Sequence, residues 1–353
     1  MSGFFGDRMK KFISCLIVVT LIVSGCGVSD IYAAKQRWNS TLGKIQKEKI
    51  IQETSVDEDL GEDSGNIAYE NMRGYINIAL FGLDNRVPGQ LGSGNRSDTI
   101  MVASINLNEK EIKLVSVYRD TYLDLTNGKY NKCNSAYSAG GPNQAISMLN
   151  KNLDLDIEHY ISVDFTAVTK VIDLLGGVDI DVDVTEIEHL NNYIIETSEI
   201  TGVKTTPLTS TGLQTLDGVQ ATSYCRIRYT DEGDCKRTER ARKVLKQMFG
   251  KAKTMTTEQL YNIIVESFSM TATNYTVEEL DAMALLLKNA EIVDTAEFPF
   301  CSTEKIVKGK GTCIIPTTLE ENVQQLHEYL FENSYYQPSD EVKTISDQIE
   351  MET

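Results

Sequence analysis

The chain has 353 residues, with 34 Lys and Arg against 51 Asp and Glu, for a formal net charge of −17. That length is ample for one large domain or two modest ones, and so acidic a balance tells against general nucleic-acid binding, which needs basic surfaces to meet phosphate. With three His and no Cys-x-x-Cys pair, the common zinc sites are disfavoured as well.

Residues 1–28 read as an export or membrane-anchor segment. Arg8, Lys10 and Lys11 precede an apolar run from Phe12 to Val23, which is short for a spanning helix of about 20 residues and fits a secretory signal better. Val23-Ser24-Gly25-Cys26 is similar to a bacterial lipoprotein cleavage box, with Cys26 as the lipidated residue; a signal anchor reaching Val28 is the alternative. Either way the positive charges hold the amino terminus in the cytoplasm and send the rest outward. The expectation is a chain anchored at the cell membrane by its N-terminus, with an extracellular domain. Residues 29–70 mix charge with Gly and Ser and read as a flexible spacer. The stretch 337–353 has the same composition and is expected to be a disordered tail. A folded domain over 71–336 lies between.

Within that domain, apolar runs and helical periods alternate. Strands are expected at Tyr75–Asp84, Thr99–Leu107 and Glu111–Tyr118, the last two joined by a short turn as a hairpin. A helix follows Gly140-Gly141, with Pro142 in its first turn, where a missing N–H costs nothing. After a strand through Glu158–Phe165, Asp164 is placed to cap a helix that ends at Gly176-Gly177. From Leu216 to about Tyr329 the pattern is mostly helical, broken by a strand near Glu291–Phe298 and a turn-rich excursion through "KGKGTC". The class is α/β, a sheet covered by helices. Cys301 and Cys313 are close enough in sequence to form a disulfide in an oxidising compartment.

Three groups of residues carry chemistry. Asp84 and Asp98 flank a loop containing Pro88 and several Gly, one at the end of a strand and one before the next. Paired carboxylates without His or thiolate suit a hard, oxygen-liking ion such as Mg²⁺, and capping of turns is the plainer alternative. Arg119-Asp120 closes a strand. Its guanidinium matches phosphate oxygens, or else forms a structural ion pair with its neighbour. Lys132 and Asn134 follow on a loop ahead of a helix whose amino end can face an anion. The stretch 224–243 then gathers Arg226, Arg228, Lys236, Arg237, Arg240, Arg242 and Lys243 in an acidic chain. It reads either as a solvated, salt-bridged helix face or as a cradle for a phosphorylated substrate.

The ordered motifs "GLDNR", "RSDTIMVASIN", "LVSVYRD", "KCNSAYSAGG", "DLLGGVDIDV", "LDGVQATSYCRIR" and "DCKRTERARKVL", from about Ile76 to Phe249, resemble the LytR-CpsA-Psr family of bacterial cell-envelope proteins. The resemblance implies an α-β-α sandwich with a mixed central sheet and an apolar channel between sheet and helices for a prenyl chain. It implies a membrane-tethered phosphotransferase that moves a glycopolymer, teichoic-acid-like or capsular, from a polyprenyl-pyrophosphate carrier to peptidoglycan. A pyrophosphatase acting on the same lipid and a transcriptional attenuator are the rival functions. By matching position, Asp84 and Asp98 are implied as Mg²⁺ ligands. Arg86, Arg96, Arg119, Arg226, Arg228, Arg237 and Arg240 fall on the family's arginine positions and, with Lys132, are expected to bind pyrophosphate. Asp234 is the expected general base beside Arg119 in the catalytic set. Tyr118 stands where the family usually has proline, Cys235 where an aromatic residue is common, and Ala241 where glutamine is usual.

Overall fold

The apolar runs read as strands become the core of a mixed sheet. The structure, a computed structural model, describes residues 72–353 apart from 86, 88, 229–232, 257–258, 261–262, 264–265, 267–269 and 276–289, and gives the backbone alone at 233–235. The expected export segment and spacer therefore lie outside the described residues.

In chain order the strands are β1 (Tyr75–Asp84), β2 (Arg96–Asn106), β3 (Glu111–Val117), β4 (Tyr122–Asp124), β5 (Tyr130–Lys132) and β6 (His159–Asp164). They continue as β7 (Val178–Val182), β8 (Gly212–Leu216), β9 (Thr271–Thr273), β10 (Glu291–Phe298), β11 (Ser302–Val307) and β12 (Gly311–Pro316). The helices are α1 (Asn134–Leu153), α2 (Phe165–Leu174), α3 (Val184–Thr201), α4 (Gly218–Arg226), α5 (Gly233–Ala252), α6 (Leu319–Phe331) and α7 (Asp340–Glu352). Six strands form one sheet in the order β10-β3-β2-β1-β6-β9, and three two-stranded ribbons pair β4 with β5, β7 with β8, and β11 with β12. The fold is α/β, as the sequence pattern implies.

By internal packing the chain divides into two units. One, here the arginine unit, comprises Gly82–Leu91 and Ile161–Ile292; the other, the cavity unit, comprises 72–81, Gly92–Tyr160 and Val293–Thr353.

In the cavity unit, β2 and β3 pair antiparallel from Met101↔Ser116 to Asn106↔Glu111. The Asn106 side chain accepts from the N–H groups of Asn108 and Glu109 and so shapes the turn. Strand β2 starts at Arg96, so Asp98 lies inside the strand rather than just ahead of it. Helix α1 starts at Asn134, earlier than its sequence period suggests, and kinks where Gly140 and Gly141 leave helical geometry, Gly141 at φ +71°. Pro142 thus opens the second half of the helix, where it removes no needed donor.

The residues after 337 are not a disordered tail. Helix α7 buries Val342, Ile345 and Ile349. Asp154, in left-handed geometry at the end of α1, accepts from Ser339 N and Oγ at 2.8 and 2.7 Å and from the Tyr336 hydroxyl at 2.5 Å. Ser339 in turn caps α7 by accepting from Val342 N. The polar composition of this segment belongs to its outer face, and an apolar residue every three or four positions gives it an inner one.

In the arginine unit, Asp164 caps α2 by accepting from Ala167 N at 2.8 Å, as its position predicts. Asp183 and Glu186 form a capping box on α3. Gly218 opens α4 so close to α2 that a Cβ there would lie 2.0 Å from the Thr169 carbonyl oxygen, so no larger residue fits without moving a helix.

Candidate functional site

The backbone after β3 decides where the first cations stand. The Tyr118 N–H donates to Phe298 O at 2.9 Å, a bond that a proline here could not make. Thr121 N then donates back to Tyr118 O at 2.9 Å, closing a turn that carries Arg119 and Asp120. Cys133 N and Asn134 N donate to Thr121 O and Arg119 O, which brings the start of α1 against the same turn. The β4–β5 ribbon sets Lys132 opposite Tyr122, so Lys132 belongs to a strand and Asn134 to a helix, neither to the loop expected.

These segments line a cavity of about 270 Å³. Arg96, Arg119, Lys132 and Lys310 contribute cations, Asp120 a carboxylate, and Asn131, Asn134 and Ser135 neutral polar groups, with Gly309 completing the wall. Arg119 Nη1 pairs with Asp98 Oδ1 at 2.9 Å and its Nε lies 3.7 Å from Asp120 Oδ2. Lys132 Nζ pairs with Asp120 Oδ1 at 3.0 Å. Two carboxylates thus stand against four cations, and among the described residues Arg96 and Lys310 form no ion pair. The lining has no apolar side chain, so the cavity suits a charged group and not a hydrocarbon. Its positive excess, joined by the amino end of α1, suits an anion.

The Cys313 thiol lies close to this charge. Burial pushes its pKa up, Lys132 and Lys310 pull it down, and Asp120 adds to the rise. Cys301 and Cys313 are both free, so the sulfur pairing open to them in the sequence is not made here.

The arginine unit holds the second set of expected residues, and each has its own surroundings. Arg226, the last residue of α4, donates to Glu196 Oε2 at 2.8 Å and Thr197 Oγ1 at 2.9 Å, and stacks 4.6 Å from the Phe165 ring centroid. It ends that helix, and Arg228 is half-buried just beyond. Arg240, 2% exposed, donates from Nε to Glu186 Oε1 at 2.7 Å and from Nη1 to Ile227 O at 3.1 Å. Arg237 is buried at 4% exposure. Arg242 is buried too, whereas Lys243 is exposed, so the solvated-face reading of this stretch holds for Lys243 and not for Arg242. Asp84 closes β1 in the same unit, and its Oδ1 is buried with no hydrogen-bond partner among the described residues. Arg86 and the Asp234 side chain lie outside the described residues.

The cavity unit therefore brings together Arg96, Asp98, Arg119 and Lys132 from the expected set. Sequence reasoning missed Asn131, Ser135, Gly309 and Lys310 as neighbours of these residues. For Lys310 a faint signal exists: glycines on both sides of a lysine mark a tight turn, but nothing in the spacing ties that turn to Arg119.

Comparison with known proteins agrees with the motifs. The sequence model of the LytR_cpsA_psr family matches residues 32–328. A curated relative, the polyisoprenyl-teichoic acid–peptidoglycan teichoic acid transferase TagU of Enterococcus faecalis, is 27% identical over 278 residues, covering 78% of this chain and 81% of TagU. The regulatory protein MsrR of Staphylococcus aureus is 33% identical over 175 residues, 50% of this chain and 48% of MsrR. The solved structure of the LytR-CPS2A-psr family protein YwtF (TagT) with bound octaprenyl pyrophosphate lipid superposes with a TM-score of 0.55 at 19% identity. That match covers 74% of this chain and 90% of YwtF, a likeness of fold. The chain belongs to the LytR-CpsA-Psr family.

Proposed function

We propose that this chain is an extracytoplasmic phosphotransferase that moves a glycopolymer from a polyprenyl-pyrophosphate carrier to peptidoglycan. The observation that carries the reading is the all-polar, net-positive cavity in a chain of net charge −17. The TagU relative, named for transfer of teichoic acid from a polyisoprenyl carrier to peptidoglycan, supports it.

In this reading the acceptor sugar hydroxyl attacks the phosphorus next to the glycopolymer. A new P–O bond forms, the bridging P–O bond of the pyrophosphate breaks, and polyprenyl phosphate leaves. Arg119 and Lys132 hold the phosphate oxygens, with Asp98 and Asp120 fixing their orientation as ion-pair partners. Arg226, Arg228, Arg237 and Arg240 are proposed to bind pyrophosphate oxygens as well, and Asp234 to take the hydroxyl proton. Asp84 and Asp98 are proposed to hold Mg²⁺, and the buried, unpartnered Asp84 Oδ1 fits a hard cation. When bound, the ion would neutralise charge that builds on the phosphate oxygens. The prenyl chain is assigned to an apolar channel, and membrane attachment to residues 1–28.

The test is a transfer assay with the purified full chain, a lipid-linked polymer and peptidoglycan fragments. Arg119→Ala is expected to lower transfer by about 10²–10³-fold, the range for loss of one donor aimed at developing charge, with an unchanged far-UV spectrum. Chelation is expected to abolish transfer and added Mg²⁺ to restore it. Transfer that survives both treatments overturns the assignments. Polymer phosphate released to water, with no acceptor product, would replace transfer by hydrolysis.

A further inference from the structure

We propose that Lys310, at the tip of the β11–β12 hairpin, is a substrate-binding residue that closes the cationic cavity over the anionic head group of the donor. The inference rests on the phosphotransferase reading and adds to it a residue outside the stretch 76–249 that carries the family motifs.

The hairpin is built to present this side chain. Strands β11 and β12 pair antiparallel from Ser302↔Pro316 to Val307↔Gly311. Lys310 N donates to Val307 O at 3.0 Å, and Gly309 and Gly311 flank Lys310 at φ +76° and +78°, a backbone that glycine adopts without strain. The turn gives its two lysines different surroundings: Lys308 is exposed, while Lys310 is half-buried and lines the cavity.

The hairpin is also fixed to the residues that it serves. Ile314 N donates to Asp120 O at 2.9 Å, and Ile314 forms a bridge with Thr121. Cys313 is fully buried at the root. Asp120, which orders Arg119 and Lys132 through its side chain, thus anchors the Lys310 hairpin through its backbone. A mobile surface ribbon would scatter its charge; this one is stitched to the turn at the cavity wall.

Charge decides what Lys310 does there. Arg119 and Lys132 already face carboxylates, whereas Lys310 has no ion-pair partner among the described residues. An ammonium held part-buried without a counter-charge at a cavity of about 270 Å³ favours an incoming anion. The cavity is below the volume of a site for a drug-sized ligand, so it takes a phosphate-bearing head group and leaves polymer and lipid outside. The shared chemistry is a pyrophosphate, whether on the lipid or free.

The experiment is calorimetry on the purified full chain in detergent, with inorganic pyrophosphate in one arm and polyprenyl pyrophosphate in the other. Lys310→Ala is expected to raise Kd for both by about tenfold, the loss of one charge-assisted bond, and Lys310→Arg to recover most of it. Lys308→Ala, on the exposed side of the same turn, is expected to bind as wild type. In the transfer assay Lys310→Ala should raise KM for the lipid donor more than it lowers kcat. Tighter wild-type binding of the lipid would identify the donor as the natural source, and equal binding a head-group site. If Lys310→Ala binds like Lys308→Ala while the wild type binds and transfers, Lys310 is a solvated hairpin charge and only this inference falls. A wild type that binds neither probe overturns the phosphotransferase reading with it.

Discussion

The two units hold their cations in opposite ways. In the cavity unit, Arg96, Arg119, Lys132 and Lys310 share one polar cavity, and two of the four form no ion pair among the described residues. In the arginine unit, Arg226 and Arg240 each face a carboxylate of α3, Glu196 for one and Glu186 for the other. Arg240 also spends a donor on a backbone carbonyl. A cluster of arginines in a sequence therefore says little about which of them meet a ligand. What separates Arg96 and Lys310 from Arg226 and Arg240 is whether a neighbouring acid has already taken the charge.

The largest effect that can break this comparison is on stability. Arg240 and Glu186 form a buried pair, with side-chain exposures of 2% and 11%. Arg240→Ala is expected to cost about 3–5 kcal/mol, because it strands a buried carboxylate. Replacing both partners, Arg240→Met with Glu186→Leu, should recover part of that loss, although Glu186 also supports the α3 cap through Asp183 N. Urea denaturation of the three variants measures this. An Arg240→Ala protein that keeps its stability yet loses transfer would show that Arg240 serves phosphate binding alone and not the fold.

Acid should weaken the cavity unit by a route that needs no arginine. His327 is fully buried, stacked 3.7 Å from Tyr336 between centroids and hydrogen-bonded at Nε2 to Leu153 O. Burial pushes its pKa down to about 4, against the upward pull of the Leu153 carbonyl and of Asp154. The folded state thus holds the ring neutral, and the unfolded chain takes up the proton first. The stability is fully present above about pH 6.5 and is lost as pH falls toward 4, by up to about 3 kcal/mol. Urea midpoints at pH 7 and pH 4.5 should separate much further for wild type than for His327→Gln. Parallel shifts in the two proteins would show that His327 is not the group responsible.

Much of this was legible from local pattern. The strand that ends at Asp84, the β2–β3 hairpin and the Asp164 cap all follow from period and turn chemistry. The failures are non-local. Residues 337–353 look like a linker by composition, and only the fold shows that Asp154, far upstream, fastens Ser339. Arg242 looks solvated because its neighbours are charged, yet it is buried. Lys310 carried only the mark of a tight turn, since its role depends on a hairpin root bonded to Asp120. Spacing reports which side chains share a face of one element. It does not report which acid, from which other element, will be waiting.

The smallest expected effect tests the same point on a single helix. Lys243 pairs with Glu239 at 2.7 Å and Lys236 with the same carboxylate at 3.2 Å, on the open side of α5. Lys243, followed by Lys236, draws the Glu239 pKa down. The Lys243 side chain is 55% exposed, so water and salt screen most of that attraction. Lys243→Ala is expected to cost only about 0.3–0.5 kcal/mol, a difference that 1 M salt should erase. Three residues away, Arg240→Ala is expected to cost several times as much, at the same formal charge and on the same helix. Measured side by side by urea denaturation at low and high salt, the two variants isolate burial from charge. A Lys243 loss above about 1 kcal/mol, or one that persists in 1 M salt, would show that exposure does not rank these ion pairs.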